Sequence, residues 1–167
     1  MAVVRRLQDA DHAAVLRINA AHVPAVARLD APELYRLATI GDLHTVAVDE
    51  RQSVAGYLLA FARTDAYDGE EFRQFSARNA RPFLYIDQVA IAPRGRRAGL
   101  GRALYDLLAA DARRRQIDML CCEVNVAPPN PDSLAFHLRM GFTELDAITL
   151  ADGRSVALLT RDASPFG

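Results

Sequence analysis

Lysine is absent from this chain of 167 residues, and all 20 of its basic residues are arginine. That excludes a Schiff-base mechanism and a P-loop lysine set against a nucleotide phosphate. Cysteine is scarce: Cys121 and Cys122 are neighbours, and neighbours in a strand point to opposite faces, poorly placed to bridge each other. Two are too few for a disulfide framework, which points to a reducing compartment. No apolar run reaches the roughly 18 residues of a membrane span, and the start Met-Ala-Val-Val-Arg-Arg holds no apolar signal core. The expected location is therefore cytoplasmic, with no membrane partner. A formal net charge of -1 gives no global field to attract nucleic acid. His12, His22 and His44 lack metal-ligand spacing, so no metal is expected.

What is present is an ordinary globular composition, 51% hydrophobic and 25% charged. No repeat, low-complexity stretch or linker divides the chain, which reads as one domain over 1–167. A chain of this size hides roughly 70% of its unfolded surface and needs neither disulfides nor a metal to hold together. Ala2 to Leu7 reads as a strand, followed by a helix to about Ala21 with Asp9 and Asp11 as N-cap candidates. Pro24 ends that helix. Ala31-Pro32-Glu33 opens a second helix, which Gly41 closes. His44–Val48 and Val54–Ala62 form a hairpin. Arg63 to Pro82 is long for a connection within a domain, with a helical turn or two expected in Gly69–Arg78.

Phe83–Ile91 is a buried strand, Pro93–Gly101 a loop, and a helix then runs to about Arg115 with Leu100, Leu104, Leu107 and Leu108 on one stripe. Met119–Val124 is the next strand. A helix starts at Pro131 or Asp132 and stops at Gly141, and Phe142–Leu150 with Arg154–Thr160 make a last hairpin. This order implies a mixed sheet with helices on both faces, an α/β (α+β) fold.

The chemistry concentrates where the strand Tyr85–Ile91 passes through Pro93 into Arg96-Arg97-Ala98-Gly99-Leu100-Gly101 and a helix. A glycine-rich turn entering a helix N-terminus aims several backbone N–H groups and the positive dipole end at one point. Arginines beside it add charge-assisted hydrogen bonds, and such a pocket suits a diphosphate. The dinucleotide fingerprint does not fit, because the glycines fall at 95, 99 and 101, late in the chain. What fits is R-x-x-G-x-G after Val-Ala-Ile-Ala-Pro. Here the sequence resembles the GNAT acetyltransferase superfamily. A second match follows in Asn130, Ser133, His137, Gly141 and Phe142, on the pattern N-x-x-A/S-x-x-x-Y-x-x-x-G-F, with His137 where relatives often carry tyrosine.

The resemblance covers the whole order of elements and implies a mostly antiparallel sheet of six to seven strands whose central fourth and fifth strands splay apart. It implies acetyl-coenzyme A as co-substrate, with the cofactor core in about 83–142. Arg96, Arg97, Ala98, Gly99, Leu100, Gly101 and Arg102 would hold the pyrophosphate, Val89, Ala90 and Ile91 would pair with the pantetheine arm, and Asn130, Ser133, Phe136 and His137 would touch coenzyme A. An amine then attacks the thioester directly.

His137 is a candidate acid for the departing thiolate, with a packed wall residue as the competing reading. Glu123, alternating with Cys121 and Asn125, and Asp87, taken to share a face with Tyr85, Val89 and Ile91, are candidate bases. The expected activity is N-acetylation of a small-molecule amine. A protein N-terminal or side-chain amine is the second acceptor, and a non-catalytic coenzyme A sensor the competing class. The segments around Asn19–Pro24 and Arg63–Pro82 are expected to line the acceptor site. The family's habits and the last hairpin's edge strand also predict a homodimer.

Overall fold

Helix starts and stops follow local chemistry. In a computed structural model that describes residues 2–164, the Asp30 side chain accepts the backbone N–H of Glu33 at 2.8 Å, and Pro32 sits in the first turn of α2 (Ala31–Ala38). The first helix, α1 (His12–His22), differs from expectation at its start. Asp9–Asp11 form a separate 3-10 turn, and the Asp11 carboxylate caps that turn by accepting the Gln8 N–H while taking a two-point hydrogen bond from Arg5.

The strands are β1 (Val3–Arg6), β2 (Thr45–Val48), β3 (Val54–Ala62), β4 (Leu84–Ile91), β5 (Met119–Ala127), β6 (Thr143–Thr149) and β7 (Ser155–Asp162). The remaining helices are α3 (Glu70–Arg78), α4 (Leu100–Arg114) and α5 (Pro131–Arg139). One seven-stranded sheet has the order β1-β2-β3-β4-β5-β7-β6, with every pair antiparallel except β4–β5. Helices cover both faces. On one, Val15 and Ile18 of α1, Leu34 and Leu37 of α2 and Phe72 and Phe75 of α3 pack on Tyr57, Phe61, Tyr85 and Cys121. On the other, Leu100, Leu104 and Leu108 of α4 pack with Phe142 on Leu58, Ile86 and Cys122. The two cysteines thus enter opposite cores, and both are free thiols.

Two irregularities shape the centre of the sheet. The parallel pair is short: Leu84, Tyr85 and Ile86 face Leu120, Cys121 and Cys122, and beyond Ile86 the two strands part. The backbone of β4 after that point therefore lacks a neighbour on the β5 side. Secondly, the β3–β4 register slips between Leu59 and Ala60, which pair with Gln88 and Ile86, so Asp87 is the extra residue of a β-bulge. The slip reverses the alternation. Tyr85 and Ala90 pack in the first core while Val89 and Ile91 pack against the second. Asp87 thus shares its face with Tyr85 but not with Val89 and Ile91. Strict alternation from the sequence fails here because one residue of the strand is unpaired.

Candidate active site

The parting of β4 and β5 opens a cleft of about 530 Å³. Ile86–Val89 form one wall and Cys122–Asn125 the other. The segment Val23–Leu29 closes one side, and Tyr67, Glu71, Asp152 and Arg154 close another. Of the two segments expected to line an acceptor site, 63–82 reaches the cleft through Tyr67 and Glu71, and 19–24 through Val23 and Pro24. Asn19 lies beneath the wall, fully buried, holding Ala27 O and Leu29 N–H through its own amide at 2.9 Å each and bonding Gln88 at 3.1 Å.

Two carboxylates face one another across the gap. Tyr67 donates its hydroxyl to Oδ1 of Asp87 at 2.6 Å, and Tyr85 donates to Oε2 of Glu123. Neither carboxylate forms an ion pair among the described residues, and both are only half-buried, open toward the cleft. Burial pushes the Asp87 carboxyl up to about 6; the Tyr67 hydrogen bond opposes this, and the negative Glu71 and Glu33 reinforce it. Burial, then the charges of Asp87 and Glu71, hold Glu123 well above the usual carboxylate range. Environments that separate two carboxyls in this way divide their roles: Asp87 ionises first, and its charge helps Glu123 keep a proton.

Arg154 cannot serve as counter-ion to either one. Its guanidinium is spent on Asp152 at 2.7 Å, Asn125 at 3.1 Å and Glu71 at 3.3 Å. These contacts, with Glu70 accepting the Ala151 N–H at 3.0 Å, fasten the start of α3 to the last hairpin. The sequence drew attention to the 63–82 connection only by its length. Tyr67, Glu71 and Arg154 carried no individual signal.

His137 lies on the cleft wall with both ring nitrogens committed. Nδ1–H donates to the Ser133 carbonyl at 2.7 Å, and Nε2 accepts the Tyr105 hydroxyl at 2.5 Å. Burial lowers its pKa, so the ring stays neutral. This corrects the reading of His137 as a proton donor to a thiolate: the ring has neither a proton nor a lone pair to spare. His137→Phe should change turnover only a few fold. It should cost about 1–3 kcal/mol of stability by stranding the buried Tyr105 hydroxyl, measurable by denaturant melts beside initial rates.

The loop before α4 fits a diphosphate. Arg96, Arg97, Ala98 and Gly99 are exposed, and Arg97 (φ 64°) and Gly99 (φ 72°) adopt left-handed backbone. A Cβ on Gly99 would meet nothing within 4 Å, so the space before the helix N-terminus, with its unpaired first-turn N–H groups, is open. Leu100 and Gly101 differ from their neighbours. Leu100 is core, and a Cβ on Gly101 would come within 3.1 Å of Phe136. Only their backbone can reach a ligand. Arg102 lies 3.8 Å from Asp106, and Arg94 is bound to Asp49 and Val54 O. Asn130 caps α5 by accepting the Ser133 N–H at 3.3 Å, and both also line the cleft, whereas Phe136 packs on Tyr105. Among the described residues no group of His, Cys, Asp or Glu is arranged to hold a metal, and no helix is long and apolar enough to cross a membrane.

Residues 14–142 match the Acetyltransferase (GNAT) family, and the chain belongs to it. It is an acetyltransferase of that fold. Ard1 from Thermoplasma volcanium superimposes with a TM-score of 0.74 at 18% identity, covering 96% of this chain and 97% of that one. Naa20 from Chaetomium thermophilum, solved with a bisubstrate analogue, gives 0.75 at 19%, covering 96% and 86%. The ribosomal-protein-S18-alanine N-acetyltransferase from Escherichia coli gives 0.65 at 18%, covering 100% and 97%. No curated protein matches the sequence.

Proposed function

We propose that this protein transfers the acetyl group of acetyl-coenzyme A directly to the amine of a small molecule. The observation that carries the reading is the cleft itself: two half-buried carboxylates, without counter-ions among the described residues, stand in the gap where β4 and β5 part, on the sheet that feeds the open arginine–glycine turn. Bound acetyl-coenzyme A supplies an activated thioester carbonyl. Arg96, Arg97 and the N–H groups around Gly99 hold its pyrophosphate, and the β4 backbone at Val89–Ile91, paired with β3 but open on its β5 side, takes its pantetheine arm.

The protein's main contribution is alignment, which can supply roughly 7–11 kcal/mol of the barrier. Asp87 attracts the acceptor ammonium and takes its proton, directly or through water. The freed amine nitrogen forms the N–C bond as the C–S bond breaks. Glu123, which keeps its proton, gives it to the departing sulfur, a role His137 is too tightly bound to fill, and takes back the proton that the new amide nitrogen sheds.

A thiol-release assay over a panel of small amines and short peptides tests this. Small amines should support coenzyme A release matched by acetylated product. Turnover confined to peptides would move the acceptor class to protein amines, and binding without amine-dependent release would make the protein a coenzyme A sensor. The free buried thiols suit a cytoplasmic setting. The proposal includes a homodimer built at the outer edge strand β6, whose side chains are largely exposed. Sedimentation at micromolar concentration should give a dimer mass; monomer alone would retire that part.

A further inference from the structure

As the extra residue of the β4 bulge, Asp87 has no strand partner to fix where its carboxylate turns. Its one hydrogen bond among the described residues comes from Tyr67, in the connection between β3 and α3. That tyrosine is boxed. Its ring lies flat on Phe61, centroids 3.9 Å apart and 5° from parallel, and meets the Phe72 ring edge-on at 5.3 Å. A Cβ on Gly69 would come within 2.6 Å of the same ring, so only glycine lets the chain fold back over it. The hydroxyl is the single polar atom of an otherwise apolar, tightly held side chain, and it meets Oδ1.

We infer that Tyr67 is a positioning residue: its boxed hydroxyl holds the bulged Asp87 carboxylate with one oxygen occupied and the other turned to the cleft for the acceptor amine. The inference rests on the reading of Asp87 as proton acceptor. The groups facing Asp87 are Glu33 of α2, Tyr57 of β3, Tyr67, Glu71 of α3, Tyr85 of its own strand and Glu123 of β5. Glu33 already has Arg36 at 2.8 Å and Glu71 has Arg154 at 3.3 Å. The direct hydrogen bond from Tyr67 is thus what favours the ionised Asp87 against burial. Taking it away raises the pH at which Asp87 becomes a base, so the rising limb of the rate profile must move to higher pH.

Tyr67→Phe keeps the ring and removes the hydroxyl. The limb of kcat/KM for the amine should move up by about one pH unit, a tenfold loss below the limb and little change well above it. The KM for acetyl-coenzyme A should not change. Carboxyl carbon NMR of Asp87 should show the same upward move without any turnover. If both stay at their wild-type positions, Tyr67 has no such role. If the titration moves and the rate limb does not, Asp87 is not the base and the inference fails with it. Absence of acetyl transfer alone contradicts the proposed function, while an upward NMR titration would still support the Tyr67 contact. Should Tyr67→Phe not fold, site-specific 3-fluorotyrosine at 67, a stronger donor of nearly the same size, should move both readouts downward; unmoved readouts overturn the inference.

Discussion

Asp87→Asn should lower turnover by about 100- to 10,000-fold, the usual worth of a general base, while acetyl-coenzyme A binding stays near wild type. The amide keeps the size of the carboxyl and still accepts from Tyr67, so packing around the bulge is preserved. It cannot take a proton, and it removes the negative charge that draws an ammonium into the cleft. The wild-type profile should rise with pH through about 6, because burial lifts the Asp87 carboxyl to that value. Below it the group is protonated and idle; above it the carboxylate is ready. In the variant that limb should vanish. Initial rates between pH 5 and 8, with cofactor affinity measured by calorimetry, separate lost chemistry from lost binding. A variant with full turnover and an unchanged limb would take Asp87 out of the mechanism.

Gly99→Val should abolish stabilisation by acetyl-coenzyme A. Linkage gives about 2.7 kcal/mol for a ligand at 100 times its Kd, and for a chain of this length roughly 2–4 °C of melting temperature per kcal/mol. The wild type should therefore melt roughly 5–11 °C higher with the cofactor, and the variant should not shift. Two effects act together. Gly99 has φ 72°, a conformation that a β-branched side chain adopts only under strain. The added side chain would also project into the open space before the N-terminus of α4, where a phosphate has to approach. The free protein should lose little else, because no protein atom lies within 4 Å of the new Cβ. A full shift in the variant would place the pyrophosphate elsewhere.

Much of this architecture can be read from the sequence because its signals are local. The stripe at Leu100, Leu104 and Leu108, the proline in the first turn of α2 and the aromatic and branched run before Ile91 each report on their own few neighbours, and the elements follow. The arginine–glycine turn is equally local. The chemistry of the cleft is not. Leu-Tyr-Ile-Asp-Gln-Val-Ala-Ile reads as an unbroken alternation, and nothing in it announces that Asp87 is unpaired and that Val89 and Ile91 change sides. Tyr67 reaches Asp87 from 20 residues away, and Tyr105 occupies His137 from 32 residues away. The second contact decides against a role that the sequence pattern alone left open. Residue type places a histidine in the cleft, but only the fold shows that its nitrogens are already in use.

The acetyl donor should sit across the gap in the sheet. A crystal structure of this protein with coenzyme A tests it most directly. The pyrophosphate should lie at Arg96–Gly99 before α4, the pantetheine arm along the open β5-side edge of Val89–Ile91, and the sulfur in the gap between β4 and β5, facing Asp87 and Glu123. Coenzyme A bound away from that gap, or with its sulfur on the far side of the sheet, would contradict it.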